Sequence, residues 1–523
     1  MKIFDNFFKK QPEITPIQEP VKTNKQPKQY KNYIGGEVNS KNINFLLTTM
    51  SADEIILRYH QVLVSRSLTL TMSDPHANKY LNLLTANVLS NNNGFRLVSQ
   101  ALDNNNSLDD QANKAIEEAW KDWGKYGADV EGKLTFLEMQ RLALISVARE
   151  GECIIRKIKN KGINKYGYSL QLIDSRRLNF QKYSTEIDGV GNFWKFGIQY
   201  DQYNRPLAYS ILPNYLVGYA MSGVEEIIPA DEIIHLYIPM YIGQRRGLPF
   251  YSPILSQMQM LNGFYEASLA NARSSSCNLG FIKSPDVEDD IDSEDQEQEI
   301  TIEGTPASFV QLPNGFEVQQ FKGDYPNNEF APFANSMLKA ISSGLNVSYS
   351  SLSGDMSEQN YSSLRQSALE ERDQWQMLQE WFKNTFVEKI YADWLPYALL
   401  NKQIKLINKN NIPVSLTAEK LDKYKVHRFI SRKWQWVDPQ KEVNAAIASN
   451  AAGIRSLSSI IQEQGLDPHE VWLQMEQEQQ FLKDHNIIVQ DVGAVSMGIE
   501  QSKMPVNNED PPAKKKGNSN NGK

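Results

Sequence analysis

The stretch from Gly247 to Trp394 constrains the fold of this chain more than any other feature. Apolar residues recur at helical spacing after Pro253, and a second apolar helix is predicted from about Asn328 to Leu345. A polar, strongly acidic segment separates these two helices. A Ser/Gly-rich loop follows the second helix, and a third, much longer helix begins near Tyr361. The predicted order is therefore helix, acidic excursion, helix, polar loop and long helix.

Two of these helices carry well-defined apolar stripes. The first starts at a proline, which suits a first helical turn because its missing N–H would be unpaired there anyway. Its apolar positions are Phe250, Ile254, Leu255, Met258, Leu261, Phe264, Tyr265 and Leu269. The stripe of the long helix consists of Leu364, Ala368, Trp375, Leu378, Phe382, Phe386, Ile390 and Trp394. Such stripes predict core packing, and Pro396 is predicted to end or kink the long helix.

The acidic excursion dominates the charge of the chain. Nine acidic residues and no basic one lie between Asp286 and Glu299, and without them the net charge would change from −7 to +2. A solvated loop would explain this run. An acidic rim, repeated in a ring and meeting a basic partner or keeping DNA from adhering, would explain it equally well. The overall negative charge argues against a protein that grips DNA by bulk electrostatics.

The rest of the chain predicts an α+β body between two polar ends. Residues 1–45 carry eight lysines and a net charge of +4, which indicates a disordered or extended arm, either a free terminus or a contact segment. Trp120 and Trp123 are predicted core or interface residues rather than a base-stacking platform, which needs basic residues interleaved with its aromatic residues. The predicted helices are 51–62, 75–90, 107–122 and 134–149, and the predicted strands 153–158, 168–172, 196–200 and 206–212, with a hairpin turn at 201–205.

The C-terminal part returns to short strands and then helices. The region from Ile404 to Phe429 is predicted to contain strands. Asp438 is a predicted N-cap, with Pro439 at the first helical position, and helices continue to about residue 485. Beyond residue 486 the chain is rich in Asn, Gly and Pro and ends near three consecutive lysines, which predicts disorder.

Recognisable catalytic, phosphate-binding and metal-binding motifs are absent from the sequence. It contains no G-x-x-x-x-G-K-[ST] phosphate loop and no G-x-S-x-G elbow. His469-Glu470 begins like a zinc-protease helix, but Leu473 stands where the second histidine is required. Cys153 and Cys277 are far apart, which suits a reducing cytoplasm. We therefore expect no enzyme activity, no cofactor and no metal, and no apolar run is long enough to predict a membrane span.

Several segments match one known family in its own order. Glu232-Ile-Ile-His-Leu236 followed by Gly243-Gln-Arg-Arg-Gly247 resembles the I-H-x-F…G-Q-T-R-G region of lambda-type portal proteins of tailed phages. Gln257-Met-Gln-Met-Leu261 resembles their stem helix. The segments 345–353 and 360–363 resemble their "G-V-S-Y-E-x-L-S…Y-S-T-A-R" region. The resemblance runs from about residue 68 to residue 485.

The resemblance implies a portal fold of the α+β class, with an α/β wing, a helical stem, a small α/β clip, a long wing helix and a C-terminal helical crown. The implied boundaries are 1–45 arm, 46–246 wing, 247–272 first stem helix, 273–327 clip with the acidic insert, 328–347 second stem helix, 348–360 tunnel loop, 361–435 long helix and remaining wing, 436–485 crown and 486–523 tail.

The resemblance also implies a function. Portal proteins form a ring, usually a dodecamer, at the unique capsid vertex. They dock the terminase large subunit during packaging and head–tail completion proteins afterwards, and pass double-stranded DNA non-specifically. Contacts with the major capsid protein or scaffold, none with a membrane, assembly in the host cytoplasm and a place in the virion are implied too. The alternative from the residues is another packaging component, a motor or a nuclease.

Three groups of candidate site residues follow from the resemblance. The tunnel loop would present Ser350, Ser351, Ser353, Gly354, Ser357, Gln359 and Asn360 to DNA. The clip would contact the terminase through Asp286, Glu288, Asp289, Asp290 and Asp292. The family motif residues are His235, Gly243, Gln244, Arg246 and Gly247, of which His235 is expected to be structural.

Overall fold

The computed structural model of the protein describes most of the central chain. The described residues are 50–89, 94–103, 105, 107–184, 189–213, 225–276, 280–283, 317–320, 329–357, 360–407, 413–434 and 439–485. The predicted arm at 1–45, the tail at 486–523 and the acidic run with Asp286, Glu288, Asp289, Asp290 and Asp292 lie outside them. The described part mixes helices with antiparallel sheets, as the α+β prediction requires.

Four helices open the body, and their ends follow from capping chemistry. Ser51 and Thr135 each form a capping box with the glutamate three residues later. The first helix is longer than predicted because hydroxyls of its Ser/Thr-rich second half, such as those of Thr69 and Thr71, bond to carbonyls four residues back instead of breaking the helix. The helices are α1 Ala52–Ser73, α2 Pro75–Leu89, α3 Asp110–Tyr126 and α4 Phe136–Glu150.

Seven of the first eight described strands form two antiparallel sheets. The strands are β1 Arg96–Ser99, β2 Glu152–Lys159, β3 Tyr168–Ile173, β4 Phe193–Lys195, β5 Ile198–Tyr200, β6 Pro206–Ile211, β7 Glu226–Pro229 and β8 Ile233–Tyr237. One sheet has the order β3-β2-β8 and another β4-β5-β6-β7. The predicted hairpin at 201–205 is confirmed, since β5 pairs with β6 and the Asp201 N–H bonds to the Arg205 carbonyl. Strand β1 instead pairs with a strand more than 300 residues later in the chain.

Two helices leave the body side by side. They are α5 Leu255–Ser276 and α6 Phe330–Gly344. Ring contacts of Phe264 with Phe330 and Phe333 and the approach of Ile254 to Gly344 show that they run antiparallel. Beyond them, β9 Gly280–Lys283 pairs antiparallel with β10 Glu317–Gln320. The sequence did not predict β9.

The long helix differs from its prediction in two places. It consists of α8 Tyr361–Phe382, a π-helical turn over Lys383–Val387 and α9 Glu388–Leu400. It does not end at Pro396, because the buried side chains of Leu395, Ala398 and Leu399 pack the last turn and offset the lost backbone bond. Of the stripe residues, Trp375, Phe382, Phe386, Ile390 and Trp394 are buried as predicted, whereas Leu364, Ala368 and Leu378 are half-buried. A short helix, α7 Tyr349–Ser353, precedes it.

The last part of the chain returns to the body before its final helices. Its elements are β11 Lys405–Ile407, β12 Pro413–Ser415, α10 Leu421–Tyr424, β13 His427–Ile430, α11 Pro439–Ala451, α12 Leu457–Glu463 and α13 Pro468–Asp484. Strand β13 is the partner of β1. Pro439 begins α11 as predicted, whereas Asp438 lies outside the described residues.

A main core runs through the body from α2 to α9. Trp120, Trp123 and Trp394 contact one another at its centre, which confirms the prediction that the first two are core residues. The same core includes Tyr251, Ile254, Met258 and Leu261 at the base of α5. A smaller core fills the space between the two larger sheets. The start of α5 is therefore part of the main core.

Candidate functional site

A fully buried carboxylate lies where α5 joins the body. Glu152, the first residue of β2, has no exposed surface. The Arg246 Nε donates to its Oε1 and Oε2 at 2.8 and 3.0 Å, and Nη2 forms a second bond with Oε1. The Gly247 N–H donates at 3.0 Å, and the His235 Nε2 lies 2.9 Å away. The predicted motif residues Arg246, Gly247 and His235 therefore converge on Glu152, which the sequence reasoning missed.

The surroundings of Glu152 favour its ionised form. Burial alone would raise the pKa of Glu152, but the Arg246 guanidinium and the hydrogen-bonded His235 hold that pKa well below its usual range. Arg246 is also buried and donates to the carbonyls of Phe196 and Ser175. Each of the three guanidinium nitrogens of Arg246 thus donates to an acceptor. A buried ion pair is tolerated under this condition.

Glycines bring the two backbones of this junction into contact. A Cβ added at Gly247 would lie 1.9 Å from the carbonyl oxygen of Gly151, so only glycine fits. Gly151 itself has φ of 91° and ends α4 in the left-handed region. The chain therefore crosses from the body into α5 through a contact that no side chain can enter.

Gln244 builds the tight turn before this crossing. Its Oε1 accepts the N–H groups of Met240 and Tyr241 at 2.7 and 3.1 Å, and its Nε2 donates to the Arg246 carbonyl at 2.7 Å. Gly243 has φ of 79°, which a side chain would strain. The predicted motif residues Gly243 and Gln244 thus shape the backbone rather than perform chemistry.

His60 is the second residue of this region that the sequence reasoning missed. It lies on α1, is 5% exposed, stacks on Phe180 at 5.7 Å and has no hydrogen-bond partner on either ring nitrogen. Burial, followed by the nearby Arg246 charge, lowers its pKa to about 4, so the ring is neutral at pH 7. It faces a cavity of about 1020 Å³ with apolar walls from Leu68, Leu178, Phe180 and Leu212, among other residues.

The predicted tunnel loop is partly helical. The prediction of a loop throughout 348–360 is wrong for its first part, because Ser348 caps α7 and Gly354, with φ of 82°, ends it. Ser350 is buried, and the Ser351 hydroxyl donates to Glu371 of α8 at 2.8 Å. The Ser353 hydroxyl bonds to the Tyr349 carbonyl at 2.7 Å.

The second part of that segment is the exposed one. Ser357 is exposed and donates to Asp355 at 2.7 Å, and Asn360 caps α8. Gln359 lies outside the described residues. An exposed polar turn thus connects α7 to α8. Glu371 of α8 holds the start of α7 through its bonds with Ser348 and Ser351.

Metal and membrane motifs are not found in the described part of the chain. Those residues bring together no set of three or more His, Cys, Asp or Glu side chains able to hold a metal ion. None of the described helices is both long enough and apolar enough to span a bilayer.

Comparisons with known proteins give one consistent family. The model of phage portal proteins of the lambda family matches residues 41–379. A probable portal protein of Halomonas phage phiHAP-1 is 27% identical over 436 residues, covering 82% of each chain. Portal protein B of Escherichia phage lambda is 22% identical over 395 residues, 70% of this chain and 73% of that one.

Two solved structures resemble this chain at lower sequence identity. One is the neck of a native gene transfer agent particle computed with C12 symmetry, with 14% identity, a TM-score of 0.41 and coverage of 77% of this chain and 94% of that one. The other is an HK97-family phage portal protein from Corynebacterium diphtheriae, with 10% identity, a TM-score of 0.32 and coverage of 57% and 81%.

Proposed function

Because this chain belongs to the lambda family of phage portal proteins, a structural family rather than an enzymatic one, we propose that its copies form a ring that passes double-stranded DNA. The ring occupies the unique vertex of the capsid and serves both packaging and ejection. The family match over residues 41–379 carries this proposal. The matched region includes both helices that leave the body and the first part of the long helix.

Unpaired apolar surface on the outgoing helices supports assembly. Met260 and Leu269 on α5 and Phe333 on α6 are each about half or more exposed in the single chain. Apolar side chains of this size on a narrow helix pair favour association with neighbouring copies. We propose a dodecamer, whose copies place these helices around a common axis.

The polar turn before α8 supports non-specific passage of DNA. From Ser348 to Asn360 the chain has five serines, including the cap, together with Asp355 and Glu358, and no lysine or arginine. Each cation–phosphate contact adds affinity and salt dependence, and many copies would hold the DNA in place. In this proposal the residues facing DNA are Gly354, Ser357, Gln359 and Asn360, with the exposed Ser357 the first described candidate. Ser350, Ser351 and Ser353, which the resemblance also placed in the channel, instead lie within α7, where Ser350 is buried and the other two hydroxyls bond to Glu371 and Tyr349.

The partners follow from the same proposal. The terminase large subunit docks at the far end of the outgoing helices, where the acidic residues Asp286, Glu288, Asp289, Asp290 and Asp292 meet a basic surface. A head–tail completion protein replaces it after packaging. The body contacts the major capsid protein or scaffold during assembly in the host cytoplasm, and the protein remains in the virion.

Electron micrographs of the purified chain test the ring. We expect rings with a central hole, and a protein that stays monomeric at micromolar concentration under several salt conditions would contradict the proposal. ATPase and nuclease assays on the same sample test the alternative of a motor or nuclease, and we expect neither activity.

A packaging assay tests the DNA-facing turn separately. Replacing Ser357 and Gln359 with lysine adds a cation pair in every copy, so we expect normal rings, slower translocation and a salt dependence that the wild type lacks. Alanine at both positions is the matched control and changes little. Equal packaging by the lysine and alanine variants at low salt would exclude this turn from the channel.

A further inference from the structure

A recess of about 410 Å³ opens beside the turn that precedes α5. Residues of β5, β6, β8 and that turn form its walls, and Lys389 of α9 also lines it. Lys389 lies two residues after the π-helical turn of the long helix, and π-helical turns are frequent at functional sites. The recess shares no lining residue with the cavity beside His60, so it is a separate feature.

Two buried tyrosines of this recess have hydroxyls without partners. Tyr200 and Tyr209 are 6% and 4% exposed, and neither hydroxyl has a hydrogen-bond partner among the described residues. The hydroxyls of Tyr168 and Tyr391 are sealed from solvent, whereas those of Tyr200 and Tyr209 open into the recess. Burial raises the pKa of both recess tyrosines, so both hydroxyls stay protonated and able to donate. Polar groups buried this deeply are normally hydrogen-bonded, and the recess therefore lacks an acceptor.

The charges around the recess favour an anionic acceptor. The exposed ammonium group of Lys389 has no partner among the described residues. Arg245 supplies a second positive charge, and its guanidinium bonds to Asp53 and donates to Asn204 at 2.7 Å. Two phenol donors and an ammonium group without an acceptor fit a carboxylate.

Apolar side chains stand next to these donors. Ile242 is fully exposed and Met240 is 65% exposed, and both lie in the turn that leads to Gly243 of the recess wall. Ile233 and Ile234 line the recess itself. Exposed apolar side chains beside a polar recess indicate a covering segment. The matching occupant is an acidic residue with apolar neighbours.

The N-terminal arm leaves the body beside this recess. The described chain begins at Met50, three residues before Asp53, whose carboxylate bonds to Arg245 of the recess wall. Glu37 is the acidic residue of the arm nearest to Met50 in the sequence. The chain from residue 37 to residue 50 spans up to roughly 45 Å when extended. Because the cost of closing a loop grows with its length, Glu37 reaches the recess at a lower entropic cost than any earlier acidic residue.

The residues around Glu37 also match the recess in character. Tyr33, Ile34 and Val38 are apolar or aromatic, and no lysine or arginine lies between residues 32 and 40. The rest of the arm from residue 1 to residue 45 carries eight lysines against three acidic residues. Glu37 thus lies in a segment of the arm that positive charges in the recess do not repel.

We propose that Glu37 binds in this recess of its own chain. Its carboxylate accepts hydrogen bonds from the hydroxyls of Tyr200 and Tyr209 and from the ammonium group of Lys389, and Ile34 and Val38 lie against the turn at 240–242. The contact attaches the arm to the body and depends neither on the ring nor on the passage of DNA. The seven lysines that precede Glu37 then emerge from the body at one place, beside the β5–β6 hairpin.

Paired cysteines test this contact in the full chain. In a Cys277→Ser background, where the remaining native Cys153 is buried, Val38→Cys and Ile242→Cys are combined and mildly oxidised. We expect a disulfide within one chain, seen as monomer mobility on a non-reducing gel and as a linked peptide pair by mass spectrometry. The control pair is Val38→Cys with Tyr126→Cys, an exposed site outside the recess wall, which should not link.

A charge-neutral variant shows whether the carboxylate directs the contact. Glu37→Gln, added to the Val38→Cys and Ile242→Cys pair, should lower the yield of the disulfide about tenfold. An unchanged yield, or equal linking to Tyr126→Cys, would overturn the proposal. A disulfide that joins two chains would overturn the assignment to the same chain. Monomeric protein that forms the expected internal disulfide would support this contact while it contradicts the ring.

Limited proteolysis measures the contact without cysteines. Tyr209→Phe and Lys389→Gln should each speed trypsin cleavage after Lys31 about threefold to tenfold, because each removes one donor to the carboxylate. The circular dichroism should stay unchanged, since neither donor has a partner in the body. Glu13→Gln in the arm and Lys133→Gln on another exposed surface are matched controls and should cleave as the wild type does. Wild-type cleavage rates in both recess variants would overturn the contact.

Discussion

Glu152 joins two other chain segments to β2 through one carboxylate. Its partners Arg246, His235 and the Gly247 N–H come from the turn and strand that precede α5. Glu152→Gln removes the negative charge and leaves the Arg246 guanidinium buried without its counter-ion, so we expect a loss of about 3–5 kcal/mol in the free energy of unfolding. Urea denaturation of the monomeric chain checks this. Glu226→Gln, which breaks the exposed pair with Arg156, is the control and should cost less than about 1 kcal/mol.

His60 makes the stability of the chain depend on pH. Its pKa is lowered to about 4 by burial and then by Arg246, with the opposing Glu152 charge 3.8 Å away and His235 beyond it. The unfolded chain therefore binds a proton that the folded chain does not, and stability falls as the pH drops from the unfolded pKa towards 4. We expect a loss of about 2 kcal/mol between pH 7 and pH 5 from this residue.

Denaturation midpoints at both pH values check the His60 prediction. His60→Asn removes the titrating group and keeps a polar side chain of smaller size, so its stability should change much less over the same interval. Glu152 adds to the loss only at lower pH, because a lowered carboxyl pKa stabilises the fold above the unfolded value and is lost below it. Equal slopes for the wild type and His60→Asn would contradict the assignment.

The motif residues around Glu152 were found by resemblance, whereas Glu152 and His60 were not. Residues 60, 152, 235 and 246 are separated by up to 186 positions, and only the folded sheet brings them together. A charged residue at the head of the apolar strand 153–158 was the available signal for Glu152. His60 had none, because a histidine inside an amphipathic helix is ordinarily exposed.

The crossing from the body into α5 depends on two glycines. Gly247→Ala would place a methyl group 1.9 Å from the Gly151 carbonyl oxygen, and backbone on both sides would have to move. We expect a loss of about 3 kcal/mol, measured by thermal or urea unfolding. Gly263→Ala is a matched control on α5 itself, where an added Cβ meets nothing within 4 Å. That change should stabilise the helix by about 0.5–1 kcal/mol, and equal effects of the two variants would contradict the assigned contact.

Helices with strong periodicity were predicted closely, and elements set by tertiary contacts were not. The spacing of apolar residues located α5, α6 and α8 because core packing produces that spacing directly. The short helix α7 was missed because Ser348 and Glu371, 23 residues apart, hold it in place. The π-helical turn at 383–387 and the strand β9 also have no local sequence signal.

At the scale of the whole molecule, the acidic run is separable from the body. Deleting Asp286 to Glu299 removes nine acidic residues and only Val287 and Ile291 as apolar ones. We expect the same unfolding midpoint and normal rings, with loss of DNA packaging if the run docks the terminase. A variant in which the nine residues become Asn and Gln separates charge from length. Unchanged packaging by both variants would assign the run to a solvated loop.

The two helices that leave the body begin and end at neighbouring points, since Ile254 at the start of α5 touches Gly344 at the end of α6. A segment whose ends adjoin can be lengthened, shortened or exchanged without altering the frame that holds it. Strands β1 and β13 meanwhile join the flanking parts of the chain across the body. Recombination between relatives could therefore replace the whole excursion from residue 255 to residue 344 as a cassette. Under the function proposed above, such an exchange would change the packaging partner and leave the proposed capsid contact of the body unaltered.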